Sequence, residues 1–261
     1  MEQLPARAVT EYGVVILGGT AGVGLETAAK FAERGARVVV LGRDPQRGLR
    51  ACELCRERVP GASVEFVAVD ATDPLAAVDA ERVARSKLGE IDVLVNTSGP
   101  SHLPRLLHET PIDDVRTIIE RLVLPPLHMT HAVLPAMRER GAGSIINVAS
   151  DAAKIATPGE TIIGAAMAAI VMFSRAAALE AKRDGVRINV LTPSLIANTP
   201  GSAWIATDPF SSRMFEKAAA MAHLGVAEPE DLAAMILFLA SPEARRITGQ
   251  AISINGGISA A

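Results

Sequence analysis

The stretch Gly18-Gly19-Thr20-Ala21-Gly22-Val23-Gly24 follows an apolar run and leads directly into a helical one. Glycines at 18, 22 and 24 let a backbone turn tightly and approach a pyrophosphate, where the unpaired N–H groups and dipole of a helix N-terminus favour negative charge. A phosphate-bearing ligand is the chemistry this stretch predicts. Other reactive side chains are scattered. Ser150 is followed by Asp151, Lys154 and Glu160, His102 and Arg105 follow Asn96-Thr97-Ser98-Gly99, and Arg121 lies in a later helical run. Each is a candidate acid or substrate anchor, and each alone also reads as a solvated loop or helix residue.

Cys52 and Cys55 form a C-x-x-C pair inside an amphipathic helical segment. A redox pair normally opens a helix after a strand, and a zinc site needs a second ligand pair, which the sequence lacks. They are read as structural thiols. His128 and His131, three apart on one helix, have no evident third ligand and are read as surface or interface histidines, so no metal is expected.

Strand-like runs at 12–17, 37–41, 63–69, 93–96, 144–148, 187–191 and 251–254 must position these groups. Helical runs lie between them, such as 25–34 closed by Gly35 and 75–88 closed by Gly89. That alternation predicts a single α/β domain over residues 1–261: a doubly wound, parallel, seven-stranded sheet with helices on both faces. With 49% hydrophobic residues the chain can cover one such core. One segment, about 192–216, breaks the pattern with three prolines and the only tryptophan, and is expected to be an irregular substrate loop.

Charge excludes some partners. A net charge of −3, from 26 basic and 29 acidic residues spread along the chain, offers no stripe for nucleic acid and no polybasic anchor for a membrane. The apolar run 162–173 is too short and too rich in alanine and glycine to span a bilayer, and the first residues have no apolar signal region, so a soluble, cytoplasmic protein is expected.

With its G-x-x-x-G-x-G turn, the sequence resembles the short-chain dehydrogenase/reductase family. Further matches run along nearly the whole chain: Asp70 and Ala71 in VAVDATD, Asn96-Thr97-Ser98-Gly99, the run from Gly143 to Ser150, Pro193-Ser194-Leu195-Ile196, and Thr248-Gly249-Gln250 through Asn255-Gly256-Gly257. The resemblance implies a Rossmann-type fold, a nicotinamide dinucleotide, a small-molecule substrate, and assembly as a homodimer or homotetramer. The apolar helix around 162–179 points to assembly as well. The binding set it implies is Gly18, Thr20, Gly22, Val23, Gly24, Arg43, Asp70, Ala71, Asn96, Ser98, Gly99, Pro193 and Ile196. Leu17 and Ser194 depart from the family, which usually has threonine and glycine at those places.

By spacing, the acid with which NAD-preferring members hold the ribose falls on Gly42. Arg43 follows and could fork onto a 2′-phosphate, whereas Asp44 could alternatively reach the ribose; the reading favours NADP (as NADPH) over NAD. The catalytic residues are altered more deeply. Counting from the family serine at Ser150, its tyrosine and lysine fall on Ile163 and Met167, and its helix asparagine falls on Leu122. The only tyrosine, Tyr12, lies at the first strand. Hydride transfer to a ketone makes an alkoxide that needs a proton, whereas transfer to an iminium carbon yields a neutral amine. Ser150, Asp151 and Arg121 are therefore the expected catalytic groups, the last two because they adjoin the family's catalytic positions at Ser150 and Leu122. Three readings follow: an atypical NADP-dependent oxidoreductase acting on a substrate that needs little proton donation, a non-redox cyclase or isomerase, and a catalytically silent NADP-binding partner or sensor.

Overall fold

The computed structural model describes residues 8–97, 99 and 101–261. In chain order the elements are β1 (Gly13–Leu17), α1 (Gly22–Glu33), β2 (Arg37–Gly42), α2 (Pro45–Arg58), β3 (Val64–Ala68), α3 (Pro74–Leu88) and β4 (Val93–Asn96). Then come α4 (Ile112–Arg140), β5 (Gly143–Val148), α5 (Thr161–Ala181), β6 (Val186–Pro193), α6 (Pro200–Ile205), α7 (Pro209–Met221), α8 (Pro229–Ala240) and β7 (Ala251–Ile254). The strands form one parallel sheet in the order β3-β2-β1-β4-β5-β6-β7, the seven-stranded, doubly wound arrangement expected.

Strand alternation builds the two layers. In β1, Val14 and Ile16 face a core completed by Phe31 of α1 and Leu232 and Ile236 of α8, while Val15 and Leu17 face one completed by Met129 and Met137 of α4. Successive side chains of a strand point to opposite faces, and a strand covered on both reads as a continuous apolar run. The order reverses between β1 and β4, so the connections leaving these neighbours part and open a crevice at their carboxyl ends. Thr97 closes its floor, its N–H and Oγ1 both donating to the Leu17 carbonyl at 2.9 Å.

Three local expectations need correction. Helix α1 begins at Gly22 rather than near Leu25, so two of the glycines lie inside its first turn. The segment 192–216 is largely helical: it holds α6 and most of α7, each started by a proline behind a capping side chain, Thr199 and Asp208. The apolar stretch of α5 is also longer than the run at 162–173 suggested. Within Thr161–Asp184 an 18-residue window reaches a mean hydropathy of 1.9, which by length and composition would allow a membrane span. In the fold that helix buries Ala166, Ile170, Ala177 and Ala178 beneath the sheet, as a core helix does.

Candidate active site

The glycine turn has the geometry of an anion cradle. Gly18 and Gly22 adopt φ of 79° and 50°, left-handed values that side-chain-bearing residues avoid. At Gly24 a Cβ would lie 2.4 Å from the Gly18 carbonyl oxygen and 2.6 Å from Thr97 Oγ1, so only glycine lets α1 come this close. Helix α2 is capped by Asp44 and α3 by Asp73, but α1 starts behind Ala21, which has no side-chain acceptor. Its first N–H groups, beside Val23, therefore remain available to a pyrophosphate. These features fit a dinucleotide.

At the far end of the crevice, Gly42 closes β2 where an acid was sought. A Cβ there would stand 3.0 Å from Thr20 Cγ2, tighter than ordinary contact. Asp44 is committed elsewhere: its Oδ1 accepts from the Gln46 and Arg47 N–H groups at 2.9 and 3.2 Å, capping α2. Arg43 is exposed beside it. Asp70 accepts from the Thr72 N–H and hydroxyl at 3.1 and 2.8 Å. Partial burial opposes its ionisation, yet those bonds and the charges of Arg43 and Arg121 hold it below the usual carboxylate range. Arg121 is thus exposed, tied electrostatically to Asp70, and has no hydrogen bond or ion pair among the described residues. Among the described residues no hydrogen bond or ion pair joins it to Ser150.

The Ala71 carbonyl lies 2.9 Å from His128 Nδ1, which gives that histidine a structural task, and no trio of metal-ligating side chains occurs among the described residues. Cys52 and Cys55 are buried free thiols, and burial pushes both up, Cys55 to about 11, as expected of inert core cysteines.

Asn96 is 2% exposed, and its amide donates to Asn147 Oδ1 at 2.7 Å; Asn147 donates to Ser174 Oγ, which donates to the Ile170 carbonyl. The Asn96 amide nitrogen therefore braces β4 against β5 and α5, while its buried Oδ1 has no partner among the described residues. Gly99 is exposed, while Ser98 lies outside the described residues. Pro193 ends β6, and Ile196 forms a bridge with Ala227 that turns the chain back toward α1. Thr199 arrives beside the glycine turn, 3.4 Å from where a Gly22 Cβ would be.

The altered positions form a continuous apolar surface. Leu122, Met167 and Ile163 share one cluster with Ile118, Ala149, Ala166 and Ile170, and Met167 is only 8% exposed. Ser150 Oγ accepts from the Ala152 N–H at 3.2 Å, starting the short turn Asp151–Ala153. Tyr12 stays at the start of β1, in the core of the opposite layer.

Asp151 turns toward the closing segment. Its Oδ2 accepts from Asn255 Nδ2 at 3.2 Å and from the Ser259 hydroxyl, while its buried Oδ1 has no partner. Lys154 donates to Ser253 Oγ and the Ala261 carbonyl, and burial holds its ammonium below the usual range. At Glu160, burial first and the Asp151 charge second push the carboxyl up to about 7.

A cavity of about 180 Å³ opens against Ile163, lined also by Ile118, Ile162, Leu103, His102, Arg105, Asp114, Thr161 and Trp204. His102 and Arg105 are thus brought to the altered site. Trp204, Asp114 and Thr161 come from three separate helices, and no spacing in the sequence marks them as neighbours.

A family profile described as enoyl-(acyl carrier protein) reductase matches residues 18–259. The chain is 31% identical over 245 residues to 3-oxoacyl-[acyl-carrier-protein] reductase FabG of Chlamydia pneumoniae, covering 94% of this chain and 96% of that protein. It is 33% identical over 256 residues to oxidoreductase UcpA of Escherichia coli strain K12, with 95% of each covered. Among solved structures, a point variant of actinorhodin polyketide ketoreductase with NADPH superposes with a TM-score of 0.87 at 26% identity, covering 97% of this chain and 99% of that one. The chain belongs to the short-chain dehydrogenase/reductase family, and these relatives are oxidoreductases of that family.

Proposed function

We propose that this protein is an NADP-dependent oxidoreductase that passes hydride to a substrate needing little proton donation, an iminium rather than a simple ketone. The observation that carries this is the pairing of a complete glycine cradle with an apolar surface at all three altered positions, Leu122, Ile163 and Met167. Had the dinucleotide site decayed too, a silent scaffold would be the better reading. A bound dinucleotide would supply the hydride; the residues present would hold it and shape the pocket. The N-terminus of α1 would take the pyrophosphate, Asp70 the adenine end, and Pro193 and Ile196 the nicotinamide end. Preference for NADP rests on Gly42, on the capping role of Asp44 and on the exposed guanidinium of Arg43.

Ile163, Ile162, Ile118 and Trp204 would exclude water from the substrate, so that positioning rather than proton supply dominates the chemical step. The protein is further proposed to be a soluble, cytoplasmic homodimer or homotetramer, because the outer face of α5 exposes Met172 and Leu179. The test is NADPH consumption against a panel of cyclic imines, aldehydes and ketones. Turnover of imines alone supports the proposal. Robust ketone reduction refutes it, and tight NADPH binding without any turnover moves the protein to the silent-partner reading.

A further inference from the structure

Two opposite charges line the cavity beside Ile163 without pairing to each other. We propose that this pocket selects small cyclic imines that carry a carboxylate, with Asp114 facing the cationic nitrogen and Arg105 the carboxylate. This rests on the reading of the site as one for hydride transfer to an iminium.

Both side chains belong to the wall of the cavity. Asp114 is half-buried in the first turn of α4, at the position from which an acid reaches back to the N–H of the capping residue. Here the capping residue is Pro111, which has no N–H to offer. The Asp114 carboxylate accordingly makes no hydrogen bond or ion pair among the described residues. Arg105 is fixed at the wall by its backbone, whose N–H donates to the Gly159 carbonyl at 2.8 Å. Its guanidinium is exposed and likewise makes no hydrogen bond or ion pair among the described residues. Each charge is therefore left for a ligand.

The groups around them do not cancel this pattern. Asp208 lies in electrostatic reach of Arg105, but its Oδ2 accepts from the Ser211 N–H and hydroxyl, both at 2.8 Å, and caps α7. His102, the third titratable residue of the wall, has Nδ1 3.1 Å from Ser101 Oγ. Much of the remaining wall is apolar, Ile118, Ile163 and Trp204 included, and an apolar wall strengthens the pull of a nearby charge. The volume of about 180 Å³ is below the roughly 300–1,000 Å³ of drug-sized ligand sites, so the occupant is a small ring.

An iminium nitrogen is cationic only until hydride adds to the carbon beside it. The C=N pair then becomes a lone pair on nitrogen, and the positive charge is gone. Asp114 thus attracts the substrate more strongly than the transition state, which raises affinity without raising the chemical rate. Its part is specificity, and the step still needs no proton from the protein.

Trp204 is the only tryptophan in the chain, so its fluorescence reports on this cavity. The native protein, Asp114→Asn and Arg105→Gln are titrated with three saturated rings that cannot accept hydride: proline, prolinamide and cyclopentane carboxylate, which present both charges, the cation alone and the anion alone. Proline should bind about tenfold more tightly than either other ring, and each variant should lose about tenfold for the charge it faces and nothing for the other. Kinetics follow on five-membered cyclic imines with and without the ring carboxylate, at mildly acid pH where the imine is protonated. Asp114→Asn should raise KM for both imines with kcat unchanged or higher, whereas Arg105→Gln should raise KM only for the carboxylate-bearing one; a merely structural role would lower kcat for both. Melting curves establish that both variants fold. The proposal is overturned if proline binds no better than the singly charged rings, or if neither variant changes the preference. Turnover of imines without that preference overturns this inference alone, whereas the expected charge preference with no turnover of any imine overturns the hydride-transfer reading.

Discussion

Restoring the family's lysine by itself should damage this protein. Met167 is 8% exposed within a cluster of Leu122, Ile118, Ala166, Ile170 and Val171, none of which can accept a hydrogen bond through its side chain. In Met167→Lys the four-carbon stem would keep most of the apolar contact, but the ammonium would have to lose its proton or pull the cluster open. Neutralising a lysine of ordinary pKa about 10.4 at pH 7 costs about 1.36 × 3.4, or about 4.6 kcal/mol, which is the ceiling; at pH 9 the ceiling falls to about 1.9 kcal/mol. A loss of about 3–4 kcal/mol at pH 7 is expected, lowering Tm by roughly 6–8 °C in a chain of this size. The sign follows from linkage. The introduced lysine has a folded pKa below its unfolded one, so the unfolded chain binds more protons between the two values and stability recovers as pH rises through that window. Calorimetric melts at pH 7, 8 and 9 measure this. An unchanged Tm at pH 7, or a deficit independent of pH, would mean that position 167 opens to water or to an acid, and the apolar account of the site would fail.

Other perturbations probe the remaining parts of the site. Gly24→Ala should destabilise the fold by about 1–3 kcal/mol and weaken dinucleotide binding, because the new methyl would stand 2.4 Å from the Gly18 carbonyl; melting and calorimetric titration would show both. Arg43→Ala should weaken NADPH at least tenfold while leaving NADH nearly unchanged, and an unaltered affinity ratio by titration would remove Arg43 from the 2′-phosphate. The double variant Ile163→Tyr/Met167→Lys should gain measurable ketone reduction over the native protein in an NADPH-consumption assay, since a phenol beside the introduced amine can supply the missing proton. Light scattering at micromolar concentration should give a dimer or tetramer, and Met172→Glu together with Leu179→Glu should shift it toward monomer.

The fold was legible because its signals are local and repeated. Val14 to Leu17, Val38 to Leu41 and Val93 to Val95 are buried on both faces, and a strand covered on both sides can only be written as an unbroken apolar run. The cradle was legible for a similar reason: left-handed backbone at Gly18 and Gly22, and a contact at Gly24 too close for a Cβ, force glycine wherever the chain passes. Even the lost chemistry could be counted, since Ser150, Ile163 and Met167 keep a fixed spacing across one turn and one helix.

Side-chain commitments were not legible in this way. Asp44 and Arg43 are adjacent letters, yet only the backbone direction at the start of α2 commits the carboxylate to capping and leaves the guanidinium exposed. Arg121 neighbours Leu122 in sequence but lies on the solvent side of α4, where its charge meets Asp70, because successive residues of a helix point about 100° apart. The proline-marked segment after β6 read as a loop because its helices are short and amphipathic signals need length. Glu160 shows the same limit most clearly: its letter says only that a carboxyl is present. Whether that carboxyl is ionised depends on how much water the fold removes and on which second carboxyl, Asp151, the fold places nearby, and both are set by tertiary packing.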